Sequence, residues 1–424
     1  MKNFNIKNII VIVLLIIISI SAVITYRIEI EKRILQADVI ELSDIKYGMF
    51  NVDVWMEQFS KILTKKVEEL NLVGEDREDA ARKIRSFLYE TINEFEANYK
   101  AENKRNAFLG ISLKNAGSNF FKIFESLKVQ VPEITEGILD FLNDEENRES
   151  IKKYILTQLN DYKESTFQKI DYTLFNDILS KYNATDATAT KPIILKEIER
   201  INNRLTAVNF ILLLAFISLL ISMFLIKGHS RITITAYVIA ALHLLILGIY
   251  LPMIAIDARI SSMEFQLMGE PISFYNQVLY FRSKSIIEVS QTMLIQEKVK
   301  IMIVGFLVLL FSVIFPVAKL ISSLLLVFKR KLQQNKIIQF LVFKSGKWSM
   351  ADVMVVAIFM SYIGFAGIIT SQLNQLENIT YSIKILTTNE SELQYGFYFF
   401  LGFVIMSLFI SQTIQKLFEE KTKD

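Results

Sequence analysis

The chain has 424 residues, 52% of them hydrophobic and 21% charged, with a mean hydropathy of +0.35; this is too apolar for an ordinary soluble protein and too charged for a pure membrane bundle, so the charges must be segregated from the apolar stretches. Lys and Arg number 47 against 44 Asp and Glu, a net charge of +3 that gives no pull toward nucleic acid. With no Cys and two His, disulfides, Cys-ligated zinc, iron–sulfur clusters, thiol catalysis and His-rich metal sites are excluded, and no cofactor is implied.

In chain order, Ile9–Tyr26 is the first of six apolar runs, each long enough to cross ~30 Å of hydrocarbon as a helix. Its long Ile-rich core has no A-x-A cleavage site, so residues 1–26 read as a retained N-terminal membrane anchor. Residues 27–204 read as an extracytoplasmic helical domain. Apolar residues recur there at spacings of three and four: Trp55, Phe59, Leu63, Val67 and Leu70; Ile84, Leu88, Ile92, Phe95 and Tyr99; Ile151, Tyr154, Ile155, Leu159 and Tyr162. Pro132 and Pro192 stand where first helical turns would start, and Asn183–Thr190 reads as a loop. After Pro192, Ile194, Ile198, Ile201 and Leu205 run straight into the second span, Leu205–Ile226, which predicts one continuous helix. Residues 205–231 are then the second span and a cytoplasmic turn. Residues 232–415 form a four-helix membrane domain with spans Ile232–Ile256, Ile301–Phe328, Val353–Gln372 and Leu393–Gln415, and 416–424 form a cytoplasmic tail.

The Lys/Arg bias of the short loops sets the orientation. Lys329, Arg330, Lys331, Lys336, Lys344 and Lys347 follow the fourth span with no acid among them. The loop after the fifth span holds Lys384 against Glu377, Glu390 and Glu392. Lys2, Lys7, Lys227 and Arg231 place the N-terminus and the turn after the second span inside. Six crossings with both termini cytoplasmic satisfy these loops, with the charge-balanced Asp257–Lys300 loop a mild exception. In the two remaining outer loops, Met263, Phe265 and Leu267 alternate, Gly269-Glu270-Pro271 marks a turn, Ile272, Phe274, Val278 and Tyr280 follow, and Tyr381, Ile383 and Ile385 alternate. This period of two predicts short strands paired into a small sheet over the outer face. Ser285–Lys300 reads as a helix leading into the fourth span. The expected fold class is an all-α polytopic membrane protein of six helices with a helical outer domain and this small sheet.

No GxGxxG, P-loop, GxSxG, HExxH or CxxC is present, and no enzyme is expected. His229 lies in a cytoplasmic turn and reads as a solvated loop residue. His243 lies mid-span, as an interhelical hydrogen-bond partner or as a proton relay or ligand contact. Lys319 stands nine residues before the cytoplasmic end of its span, about 13 Å deep, farther than its stem can snorkel. Asp352 opens the fifth span from the same side, so the two can pair structurally or serve in gating or in holding a lipid headgroup. Trp348 reads as an interface anchor, and Pro316 frees a backbone carbonyl inside the fourth span.

Four blocks carry a resemblance. Leu251-Pro252-Met253 closes one span and Phe315-Pro316-Val317-Ala318-Lys319-Leu320 lies inside the next. Lys347-Trp348-Ser349-Met350-Ala351-Asp352-Val353 opens the third, and Gly396-Phe397-Tyr398-Phe399-Phe400 opens the fourth. In this order, over about 232–415, they resemble the paraquat-inducible protein A family. The resemblance implies an inner-membrane protein of bacteria with a double-membrane envelope. It implies a role in handling phospholipid beside mammalian-cell-entry-type periplasmic proteins, and a tetraspanin- or claudin-like four-helix unit with a small outer sheet. Lys319 and Asp352 would then lie in the polar heart of a lipid-handling bundle. The sequence departs from the family pattern in having one four-helix unit rather than two, no Cys for zinc ribbons, and an added pair of spans enclosing the 27–204 domain. The expected function is lipid transport or cell-envelope homeostasis, with membrane lipids as partners. The alternative is a receptor or signalling subunit whose outer domain senses a ligand and passes the signal to a separate partner.

Overall fold

The computed structural model describes residues 6–48, 51, 53–54, 57–58, 61–62, 65, 76–106, 128–140, 170–226, 230–267, 270–328, 335–344, 357 and 383–421. Two of its helices are far longer than a bilayer requires. Helix α1, Ile6–Leu42, has 37 residues, about 55 Å at 1.5 Å per residue, whereas ~20 residues cross the hydrocarbon. Helices α2 (Arg77–Asn106) and α3 (Thr173–Lys181) precede α4, Ala187–Leu225, which has 39 residues. α1 and α4 pack antiparallel as a stalk. Ser230 Oγ, just beyond α4, donates to Asn8 Oδ1 at 3.0 Å; Thr25 Oγ1 donates to Asn209 Oδ1 at 2.7 Å. Ile28 packs on Ile201 and Leu205, and Val39 and Leu42 pack on Ile194 and Ile198. Along the apolar halves, Ile9, Val13, Ile16 and Ile20 of α1 and Phe210, Leu214, Ile217 and Ile221 of α4 are exposed, as expected of helices solvated by lipid.

The single helix through Leu205 is as the spacing predicts, but its start differs. α4 begins five residues before Pro192, because Asp186 caps it by accepting from the Ala189 N–H at 2.7 Å. The expected loop Asn183–Thr190 therefore shrinks. Asn183 turns the chain with φ 50, a left-handed conformation that Asn tolerates, and the Ala184 N–H bonds back to Leu179.

In the outer domain α2 buries Ile84, Leu88 and Ile92, as their spacing requires. The side chains of Phe95 and Tyr99, and the residues of the other two periodic sets, lie outside the described residues. A latch closes the far end of α1: Tyr47 stacks on Tyr172 and Phe175 and donates to Glu41. Burial, with Glu41 accepting its hydroxyl, pushes the Tyr47 phenol up to about 12.

Helix α5 spans Arg231–Tyr250, strands β1 and β2 Ile254–Leu267 and Glu270–Lys284, and α6 Ile286–Leu294. Helix α7 spans Val299–Phe328, strand β3 Ile383–Leu393, and α8 Tyr395–Lys421. Among the described residues five helices, α1, α4, α5, α7 and α8, are long and apolar enough to cross a membrane; the expected fifth span, Val353–Gln372, and Trp348 and Asp352 lie outside the described residues. The third span stops at Tyr250 rather than Ile256, since Pro252 has no N–H to continue it, and Ile254 and Ile256 belong to β1.

The sheet forms from the two loops as expected, in order β2-β1-β3 and antiparallel throughout. It is longer than the alternating segments, because bulges at Ala258/Arg259 and at Ile260/Ser262 break the period of two along β1. Glu270 and Pro271, expected in the turn, pair with Leu267 and Gln266; Pro271 fits because β2 is an edge strand. The helix expected over Ser285–Lys300 is two pieces, with a break at 295–298. α6 starts on a reciprocal cap between Ser285 and Glu288. The stalk is fastened to this unit where the Val278 N–H donates to Ser43 O at 2.7 Å and where Arg33 meets Glu288 at 2.7 Å.

Candidate functional site

α7 is amphipathic in an inverted sense. Ser312, Pro316, Lys319, Ser323 and Leu326, spaced by four, three, four and three, are buried, and spacing of this kind gathers them on one face. Ile314, Ile321, Leu325 and Phe328 are exposed. The polar side of this span therefore faces protein and its apolar side faces outward, as a helix surrounded by lipid requires.

Pro316 shapes the middle of this face. Leu310–Ile314 form a widened π-turn closed by the Phe315 N–H on Leu310 O. The extra residue in the turn relieves the clash between the proline ring and the preceding carbonyls, a common origin of such bulges. The expected freed carbonyl is thus accommodated by widening. Within the turn the Ser312 hydroxyl is fully buried and has no hydrogen-bond partner among the described residues.

One turn beyond Pro316, Lys319 is 4% exposed. Its carbonyl accepts from Ser323 Oγ at 2.9 Å, and Ser322 is buried beside it along the chain. An ammonium held at this depth without water demands an anionic or polar partner. The expected partner, Asp352, lies outside the described residues, as does Trp348. His243, on α5, is half-buried, and its Nδ1 bonds to Ile239 O of its own helix at 2.8 Å. His229 lies outside the described residues.

The other motif blocks meet one another. The Gly396 N–H donates to Pro252 O at 2.9 Å and the Gln394 N–H to Met253 O at 2.9 Å. At Gly248 a Cβ would stand 2.7 Å from the Phe400 backbone nitrogen, and at Gly396 one would stand 2.4 Å from Leu251 O. These two glycines permit α5 and α8 to cross backbone to backbone under the sheet, with Phe400, Phe403 and Tyr237 fully buried around them. Tyr237 reaches across to α4, its hydroxyl 3.0 Å from Ser222 Oγ. α7 packs on α5, and its Leu320 and Leu326 belong to the same core as Phe400 and Phe403.

Residues 282–375 match the paraquat-inducible protein A family. The match covers less than a quarter of the chain and contains the Pro316–Lys319 and Trp348–Asp352 blocks, the two more specific of the four. The Leu251–Met253 and Gly396–Phe400 blocks lie outside it, and the contact between them is a structural observation. No curated protein and no solved structure matches the chain. The apolar helices indicate a multi-pass membrane protein, with which the paraquat-inducible protein A match agrees.

Sequence reasoning missed Glu29 and Lys32, which are 2% and 7% exposed. They continue the spacing of Ser21 and Thr25 along α1, a polar stripe at intervals of four, four and three that was readable. It also missed the glycine crossing, for which the sequence offers only isolated glycines in apolar runs.

Proposed function

We propose that the protein is a non-enzymatic phospholipid-handling component of the bacterial inner membrane, with both termini cytoplasmic, and that it passes lipid to or from a periplasmic partner of the mammalian-cell-entry type. The single observation that carries this reading is Lys319, buried on the inward polar face of an interrupted apolar span. An ammonium there offers a counter-charge to a phosphate headgroup. The paraquat-inducible protein A match over 282–375 supports it, because the match spans this face. Asp352 would compete with the phosphate for the same ammonium, so loading and release become an exchange of partners.

The test is mass spectrometry of the phospholipid retained by the purified protein. Wild type and Lys319→Arg are expected to retain stoichiometric phospholipid and Lys319→Ala to retain several-fold less. Equal retention by all three would overturn the reading.

A receptor reading is favoured by one observation: α1 and α4 run unbroken from the apolar span into the outer domain, the layout of a mechanical relay. It predicts co-purification with a cytoplasmic signalling protein and no change of retained lipid in Lys319→Ala.

A further inference from the structure

The seam where α1 and α4 leave the apolar span holds a second polar site, outside the segment matched to the family. Ser21, Thr25, Glu29 and Lys32 share one face of α1 and are 6%, 0%, 2% and 7% exposed. Next to this face Ile28 packs on Ile201 and Leu205, with Leu35, Val208 and Tyr395 around them. Thr25 donates to Asn209 Oδ1. Among the described residues the buried Asn209 Nδ2 has no acceptor, and Glu29 Oε2, buried one turn along α1 from Thr25, has no donor.

The charges facing Glu29 come from its own helix, Lys32 and then Arg33. Arg33 is committed to Glu288 of α6 at 2.7 Å. Lys32 makes no ion pair within 4 Å among the described residues. The neighbouring elements bring few titratable groups to this end. α4 brings the exposed Arg204, α5 the exposed Tyr250, α6 Glu288 and α8 Tyr395. None of them donates to Oε2. A carboxylate in this position loses its hydration and gains an incomplete set of donors, whereas the neutral acid loses far less.

We propose that Glu29 is a proton-binding site that holds the neutral carboxylic acid in the seam at neutral pH. The proton comes from hydronium in bulk water: one O–H bond of the hydronium breaks, leaving water, one O–H bond forms on the carboxylate, and no other bond changes. Loading removes the only acidic charge of the stripe, so the stalk carries a titratable charge where it joins the membrane unit. The site does not depend on the lipid reading, and its test does not use lipid.

The test is infrared difference spectroscopy of the full-length protein in lipid bilayers at pH 7, wild type against Glu29→Gln. The expected result is a carbonyl stretch of a protonated carboxyl that shifts in D₂O, is absent from Glu29→Gln and bleaches only on alkalinisation. Should Glu29→Gln not fold, the same band is read in wild type by its alkaline bleaching and by its displacement in Glu29→Asp. Raising sodium at fixed pH is expected to leave the band unchanged. A wild-type spectrum without the band, or a band that disappears on adding sodium, would overturn the proposal, the latter by assigning the oxygens to a metal cation.

Discussion

Lys319 and Gly248 carry opposite burdens. Lys319 is a costly residue retained in an apolar setting, whereas Gly248 removes bulk where two backbones touch. A methyl group at Gly248 would meet the Phe400 backbone 2.7 Å away, and backbone cannot rotate aside as a side chain can. Gly248→Ala is therefore expected to destabilise by about 1–3 kcal/mol, the usual cost of overpacking, read as a lower thermal midpoint in detergent. Gly402→Ala is the control, because its nearest atoms stand at 3.6 Å; its midpoint is expected to stay near wild type. At Asp186 the side chain caps α4, and Asp186→Ala is expected to cost about 0.5–2 kcal/mol, seen as faster amide exchange confined to the first turns of α4.

At the scale of elements, the stalk is held to the family-like unit by few polar contacts, and the Arg33–Glu288 pair is the one with a pH signature. Burial pushes the Glu288 carboxyl up, but the Ser285 N–H and the Arg33 guanidinium outweigh it, so the group stays below its ordinary value. A carboxyl held low stabilises the fold above its unfolded value, and that contribution is lost as pH falls through the folded value. Acidification is expected to lower the thermal midpoint of wild type more than that of Arg33→Ala; equal slopes would show that the pair does not fasten α6 to α1. The elements also show what sequence patterns can report. The continuous helix α4 was legible because Ile194, Ile198, Ile201 and Leu205 keep one face across the membrane boundary. The pairing of two distant loops into a sheet was legible from strict alternation at Met263–Leu267. The rest of β1 was hidden, because its bulges shift the alternation and Ile254 and Ile256 continue the apolarity of the preceding span. Lys319 stood out because a charge in an apolar run needs a partner, structural or functional. The burial of Glu29 did not, since a charge just past a span reads as solvated until its helix is seen to stay packed.

For the whole molecule, the two long helices α1 and α4 tie the helices between them to a membrane unit whose span α7 turns its polar face toward protein. The Lys/Arg bias of the loops predicts that the end of α7 nearest Lys319 is cytoplasmic. A reporter fused after Arg330 is expected to be active only as a cytoplasmic reporter, and one in the 27–204 domain only as an external reporter. The most direct test of the account is photo-crosslinking from the two faces of α7 in bilayers. A photoreactive residue at Ser323, on the buried face, is expected to capture phospholipid in amounts that fall when Lys319 is replaced by Ala. One at Ile321, on the exposed face, is expected to capture bulk lipid whether or not Lys319 is present. Phospholipid captured from Ile321 alone, with none from Ser323 in either background, would contradict it.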